Sequence, residues 1–178
     1  HFKQRKVEHE APTISMGYFY FVKLEVEAER GPPTLAMIDD KTGMLKAVVC
    51  KQKGVHSEAV EEVLRFIGAL GYKKIILKSD GEPAILALKS EVKRDSNIEI
   101  LLEQSPAYDS RAAGKAENAV QRIEGQFRTL KDALETRIGQ RIETGHPIIE
   151  WMVMHSSAVL NRYQVGADGR TPYQRLKG

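Results

Sequence analysis

The order of the apolar segments constrains the fold of this chain more than any other feature of its sequence. Three segments rich in β-branched and aromatic residues come first, and turn residues between them predict an antiparallel meander. Helical and strand patterns then alternate, and two longer helical patterns follow. The three first segments lie at 14–26, 34–38 and 44–50; the helices are predicted at 57–70, 82–93, 113–138 and 147–162, and the later strands at 74–78 and 98–102.

This order, βββαβαβαα, predicts an α/β protein with a mixed five-stranded sheet and flanking helices. It matches the ribonuclease-H-like fold. The first segment is apolar on both faces over its first half, which predicts a central strand. We expect residues 1–12 to be a lead-in from a longer polyprotein, 13–165 to form the core domain, and 166–178 to be its loop-like tail.

Composition excludes several classes of protein. No segment approaches the roughly 18 consecutive apolar residues of a membrane span, and the polar start does not resemble a signal peptide. Cys50 is the only cysteine, which excludes an internal disulfide and favours an intracellular location, in nucleus or cytoplasm. The net charge is only +3, but basic residues are in excess after residue 110, so a phosphate-bearing partner would contact the C-terminal third.

Two acids stand where ligand sites often form. Asp80 follows the strand segment Ile75-Ile76-Leu77-Lys78-Ser79, and open α/β sheets place their sites at the carboxyl ends of strands. The simpler alternative is an Asx turn or helix cap. Glu117 lies near the start of the helix at 113–138, about 100° from the centre of its apolar stripe. Its simpler alternative is a glutamate favoured by the helix dipole.

The sequences around these acids form three elements in a fixed order. They are Ser79-Asp80-Gly81-Glu82-Pro83, Ser110-Arg111-Ala112-Ala113-Gly114-Lys115-Ala116-Glu117-Asn118 and Gly169-Arg170-Thr171-Pro172-Tyr173. Together they resemble the DDE catalytic core of retroviral and LTR-retrotransposon integrases of the copia type. The 36 residues between Asp80 and Glu117 are close to the interval in that family.

The resemblance implies a polynucleotidyl transferase that performs DNA integration, by end processing and strand transfer. Asp80 and Glu117 would be catalytic residues and ligands of two Mg²⁺ or Mn²⁺ ions. The family also implies DNA as a partner and a homodimer or higher oligomer. The DNA would contact one side of the Glu117 helix, which presents Lys115, Asn118, Gln121, Arg122 and Arg128. The alternative is a solvated side with pairs such as Glu124–Arg128.

The sequence departs from that family at its first acid, because Gly17 stands at the matching position in the first strand. A glycine there could instead mark a bulge. Glu25 and Glu27 are about 26–33 Å along the strand from Gly17, too far to replace the acid. Asp39 and Asp40, which also fit a hairpin turn, are expected opposite about residue 21, on the order of 13 Å away.

We therefore expect weakened metal binding and weak or absent strand-transfer activity. Three hypotheses remain: an impaired integrase core, a non-enzymatic nucleic-acid-binding or assembly module with the same fold, and a ribonuclease-H-like nuclease of another kind. The Thr171-Pro172-Tyr173 element argues against the third. Away from the site, we expect Ile138, Trp151 and Cys50 to be buried in the core.

Overall fold

The structure is a computed structural model that describes residues 11–21, 31–105 and 110–178. Within 110–178, side chains are described from residue 114 onward. The strands are β1 Thr13–Phe19, β2 Thr34–Asp39, β3 Leu45–Val49, β4 Lys74–Ser79 and β5 Glu99–Gln104. The helices are α1 Ser57–Leu70, α2 Pro83–Asp95, α3 Ser110–Ile138, α4 Ile148–Tyr163 and α5 Pro172–Lys177.

The strands form one mixed sheet in the order β3-β2-β1-β4-β5, which makes β1 the central strand, as the sequence predicts. β1, β2 and β3 form the antiparallel meander, and β4 and β5 extend the sheet in parallel with β1. Parallel pairing brings the carboxyl ends of β1, β4 and β5 to the same edge of the sheet. The predicted α/β class, the antiparallel meander and the order of the elements along the chain through α4 are confirmed.

Each face of the sheet carries its own apolar core, because successive strand residues point to opposite faces. Ile14 and Met16 of β1 pack on the face covered by α1 and α2. Phe19 of β1 and Ala36 of β2 pack on the face covered by α3 and α4. By the same alternation Gly17 belongs to the second face, so it lies beneath α3.

The predicted register of the first hairpin is wrong. β1 ends at Phe19, which pairs with Thr34 at the start of β2, whereas the sequence predicted a strand that continues through residues 20 and 21. Asp39 consequently lies opposite Ile14, and Gly17 lies opposite Ala36. The predicted strand residues beyond 21, including Glu25 and Glu27, lie outside the described residues.

The tail contains a short helix, α5, where a loop was expected. The Thr171 hydroxyl accepts a hydrogen bond from the Gln174 backbone N–H, and the Gln174 side chain accepts one from the Thr171 N–H. Pro172 occupies the first turn, where its missing N–H costs nothing. This capping box is readable in the sequence as Thr-Pro-x-Gln.

Burial confirms one of the three predicted core residues and contradicts the other two. Cys50 is 2% exposed, and burial raises the pKa of its thiol to about 11. Trp151 is 55% exposed and Ile138 is 49% exposed. Trp151 lies on the side of α4 that faces away from Met152 and Val153, which are buried. Among the helices described, none is both long enough and apolar enough to cross a membrane.

Candidate functional site

A cavity of about 240 Å³ lies at the carboxyl ends of β1 and β4, beneath the first turns of α3. Gly17, Asp80 and Glu117 all line it. They come from three separate elements: the central strand, the residue after β4, and α3. The three positions that the sequence assigned to the family's acids are therefore brought together around one cavity.

The parallel ladder explains why Gly17 and Asp80 are neighbours. The last pair of the ladder is Ser15 of β1 with Lys78 of β4. Two residues further along each strand lie Gly17 and Asp80, which line the same cavity. A Cβ atom added to Gly17 would lie 3.9 Å from the Cβ atom of Ala116, an ordinary van der Waals contact. A side chain at residue 17 therefore fits between β1 and α3.

Asp80 is exposed and its carboxylate also holds the local turn. Its Oδ1 accepts a hydrogen bond from the Glu82 backbone N–H at 3.2 Å, which is the Asx turn considered as the simpler alternative. Its main-chain carbonyl accepts one from the Ser79 hydroxyl at 2.9 Å. These bonds fix the direction in which the Asp80 side chain leaves the strand.

A buried lysine behind Asp80 was missed by sequence reasoning. Lys89 of α2 is 1% exposed, and its ammonium donates to the Ser79 hydroxyl at 3.0 Å and to the Glu103 main-chain carbonyl at 2.5 Å. It thus joins the ends of β4 and β5 beside the site. Burial lowers the pKa of Lys89 to about 8. The sequence could have revealed it, because Lys89 falls on the same side of the predicted helix as the apolar residues Ile85, Leu88 and Val92.

The stability of the fold should depend on the titration of Lys89. The pKa of Lys89 is 10.5 in the unfolded chain and about 8 in the folded chain. Between these two pH values unfolding therefore takes up a proton. The free energy of unfolding consequently rises with pH in this interval. We expect the free energy of unfolding to gain about 1 kcal/mol from this group per pH unit. Urea unfolding between pH 8 and pH 9, below the ordinary pKa of Cys50, measures it.

Lys89→Met should remove this rise with pH, because no buried ammonium remains to lose its proton. Lys93→Met, an exposed lysine on the same helix, is the matched control and should keep the rise. Equal slopes in Lys89→Met and Lys93→Met would contradict the prediction.

Asp39 does not take the place of a carboxylate at Gly17. It lies on the opposite face of the sheet and is 0% exposed. Its oxygens accept hydrogen bonds from the Thr42 N–H and hydroxyl, at 3.1 and 2.5 Å, and from the Tyr72 hydroxyl at 2.8 Å. Asp39 is therefore a structural carboxylate of the turn between β2 and β3.

Asp40 points to the same face as Gly17, but its backbone lies further back along the sheet. Its N–H donates to the Thr13 carbonyl, about 13 Å of strand before Gly17, and its carboxylate accepts from the Ser15 hydroxyl at 3.5 Å. Lys115 of α3 forms an ion pair with Asp40 at 2.7 Å. Burial raises the pKa of Asp40, although Lys115 opposes the shift. Within the described residues, no group of three metal-binding side chains is present.

On the predicted DNA-facing side of α3, some side chains bind other side chains of this chain and others are exposed without such a contact being described. Asn118 and Gln121 are exposed. Arg122 is half-buried and donates from Nε to the Gln164 side chain at 2.8 Å. Arg128 donates to Glu124 at 3.3 Å, the pair considered as the alternative, and Glu124 is buried rather than exposed. Lys115, Arg122 and Arg128 are thus each held by a partner within the chain.

Comparison with known proteins shows that this chain is similar to solved structures. No family model and no curated protein matches the chain. The catalytic core domain of BIV integrase matches with a TM-score of 0.55 at 18% identity, over 91% of each chain. A chain in the cryo-EM structure of the simian T-cell lymphotropic virus intasome in complex with PP2A regulatory subunit B56 gamma matches with a TM-score of 0.68 at 14% identity.

The second match covers 93% of this chain and 54% of the viral one, so this chain spans about half of that protein's length. The fold is ribonuclease-H-like. Its strand order and flanking helices are those of an integrase core. Both structures confirm the predicted fold class. Because their sequence identities to this chain are low, the similarity shows the fold alone.

The residues that line this cavity would suit one hydrated metal ion rather than two. Mg²⁺ prefers oxygen ligands and often uses only one or two carboxylates together with water. Asp80 and Glu117 can supply these two carboxylates, and both line the cavity. A pair of ions about 4 Å apart needs more negative charge between its members, and Gly17 supplies none.

Proposed function

We propose that this chain is an integrase-like polynucleotidyl transferase domain whose DNA end processing and strand transfer are impaired by Gly17. The observation that supports this most is the convergence of Gly17, Asp80 and Glu117 on one cavity at the sheet edge. Asp80 and Glu117 would hold Mg²⁺ or Mn²⁺ with reduced affinity. A copia-type retrotransposon origin, with glycine in place of the first aspartate, belongs to the same proposal.

The proposed partner is DNA, along the side of α3 that carries Asn118 and Gln121. Both side chains are exposed and can contact phosphates or base edges. Lys115 and Arg122 would add positive charge beside them. The simian viral chain belongs to an intasome; for this chain we extend the proposal to a homodimer or higher oligomer in the nucleus or cytoplasm.

A second candidate function is a catalytically inactive nucleic-acid-binding or assembly module. The absence of a third carboxylate near Asp80 and Glu117, within the residues described, favours it. The two candidates differ in metal binding, because the impaired enzyme keeps a two-carboxylate site and the module needs no metal.

A Mn²⁺ titration separates the two candidates. We expect the unchanged chain to bind about one Mn²⁺ weakly, since two carboxylates can hold one hydrated ion. Asp80→Asn and Glu117→Gln should each weaken this binding by about tenfold or more. Asp132→Asn removes an exposed acid further along α3 and should leave it unchanged. Calorimetry or the Mn²⁺ electron paramagnetic resonance signal measures the bound fraction.

The outcomes are distinct. No response to Mn²⁺ in the unchanged chain would favour the inactive module. Two tightly bound ions in the unchanged chain would contradict the role given to Gly17. Equal effects of Asp80→Asn and Asp132→Asn would mean that the binding is nonspecific.

A further inference from the structure

Lys89 carries a charge at a place in the fold where an apolar residue would be expected. It lies on the buried side of α2 together with Ile85, Leu88 and Val92, and it is 1% exposed. Removing an ammonium from water is costly unless hydrogen bonds replace the lost hydration. A leucine or a methionine would pack here without that cost. The packing of the core therefore does not account for the charge.

The ammonium of Lys89 reaches the carboxyl ends of two neighbouring strands. It donates to the Ser79 hydroxyl at 3.0 Å, at the end of β4, and to the Glu103 carbonyl at 2.5 Å, near the end of β5. The Ser79 carbonyl accepts a further hydrogen bond from the Ser105 N–H at 2.8 Å. Ser79 and Ser105 both line the cavity. Lys89 thus joins the two strand ends directly behind the cavity wall.

A chain of hydrogen bonds continues from Lys89 to Asp80. Because an ammonium can only donate, the Ser79 hydroxyl accepts from Lys89 and gives its own proton to another acceptor. That acceptor is the Asp80 main-chain carbonyl, at 2.9 Å. The Asp80 carboxylate in turn accepts from the Glu82 N–H at 3.2 Å. The buried charge is therefore connected, through one hydroxyl, to the main chain of a residue whose side chain is also held.

We propose that Lys89 is a positioning residue for the metal site: it holds the end of β4 in place, so that the Asp80 carboxylate is directed at the cavity. Lys89 does not itself bind the metal, because a positive charge repels a cation. Residues that orient a metal ligand from behind change metal affinity by about 10–100-fold when they are replaced. The inference rests on the proposed function, since it takes Asp80 to be a metal ligand.

The charge and the hydrogen bonds of Lys89 have opposite effects on metal binding. A positive charge near Asp80 lowers the affinity for a cation, so loss of the charge alone would raise that affinity. Loss of the hydrogen bonds would lower it, because the Asp80 carboxylate would no longer be held in one direction. The sign of the change in Lys89→Met therefore separates a positioning role from a purely electrostatic one.

Mn²⁺ binding at pH 7, followed by electron paramagnetic resonance, tests the proposal. Lys89 keeps its proton at this pH, since burial lowers its pKa only to about 8. We expect Lys89→Met to raise the Mn²⁺ dissociation constant about tenfold. Lys89→Gln keeps a hydrogen-bond donor and should recover part of the affinity. Ser79→Ala interrupts the chain of hydrogen bonds without removing the charge, and it should also weaken binding about tenfold.

Val92→Ala is the matched control, because Val92 is buried on the same side of α2 and its side chain cannot form hydrogen bonds. The substitution leaves a cavity and lowers stability. It should nevertheless leave the Mn²⁺ dissociation constant unchanged at a temperature at which the protein stays folded. A purely structural role would make Lys89→Met behave like Val92→Ala. Equal or tighter Mn²⁺ binding by Lys89→Met, compared with the unchanged chain, would overturn the proposal.

Hydrogen exchange in the metal-free protein keeps this proposal separate from the proposed function. The Glu82 N–H, which donates to the Asp80 carboxylate, should exchange about tenfold faster in Lys89→Met, whereas the Leu77 N–H within β4 should keep its rate. If the unchanged chain binds no Mn²⁺ but Glu82 responds in this way, Lys89 positions Asp80 and the proposed metal site is wrong. If the unchanged chain binds no Mn²⁺ and the exchange of Glu82 is the same in Lys89→Met, both proposals fail.

Discussion

Gly17→Asp should raise strand-transfer activity by about 10²–10³-fold, the usual effect of one electrostatic group placed at a reaction centre. The new Cβ has room, at 3.9 Å from that of Ala116, and the side chain leaves β1 on the face beneath α3. The carboxylate would come beside Asp80 and Glu117 and complete a set of three. The assay joins a labelled DNA end to target DNA in the presence of Mn²⁺ or Mg²⁺.

Gly17→Asn is the matched control, because it adds nearly the same volume without the charge. We expect no gain in strand transfer from Gly17→Asn and no second Mn²⁺ ion, whereas Gly17→Asp should bind two. Without metal, Gly17→Asp should lower the melting temperature, since three carboxylates then repel one another. Added Mn²⁺ should reverse this loss. The prediction fails if the unchanged chain joins DNA as efficiently as Gly17→Asp.

The fold and the placement of this site were predictable because both depend on local pattern. An apolar strand followed at once by Asp80 puts that acid at the sheet edge wherever the strand lies. Parallel pairing of β4 with β1 then makes residue 17 its neighbour. The resemblance to integrase cores identified Gly17 as the position of interest, which strand propensity alone would have treated as a bulge.

Other features depended on pairing that the sequence does not reveal. The apolar run continues through Tyr20 and Phe21, so nothing local marks the end of β1; its partner β2 does, by beginning opposite Phe19. Trp151 was misplaced because α4 has apolar residues on two sides, and periodicity cannot tell which side meets the sheet. The acceptors of Lys89 become visible only when the ends of β4 and β5 lie together.

Of the neighbouring acids Asp39 and Asp40, Asp39 has a structural role. The corrected register places it on the face of α1, away from the cavity, where it accepts bonds from Thr42 and Tyr72. Burial and the adjacent Asp39 carboxylate raise the pKa of Tyr72. A carboxylate used in this way stabilises the turn that joins β2 to β3, on which the whole meander depends.

Asp39→Ala should therefore lower the free energy of unfolding by about 3–5 kcal/mol, since it leaves buried donors of Thr42 and Tyr72 without an acceptor. Tyr72→Phe removes one of these bonds and should cost about 1 kcal/mol. Asp40→Asn is the matched control, because Asp40 is only partly buried and its partner Lys115 is exposed; it should change stability by less than about 1 kcal/mol. Urea unfolding followed by circular dichroism measures all three. Equal losses in Asp39→Ala and Asp40→Asn would contradict a structural role for Asp39.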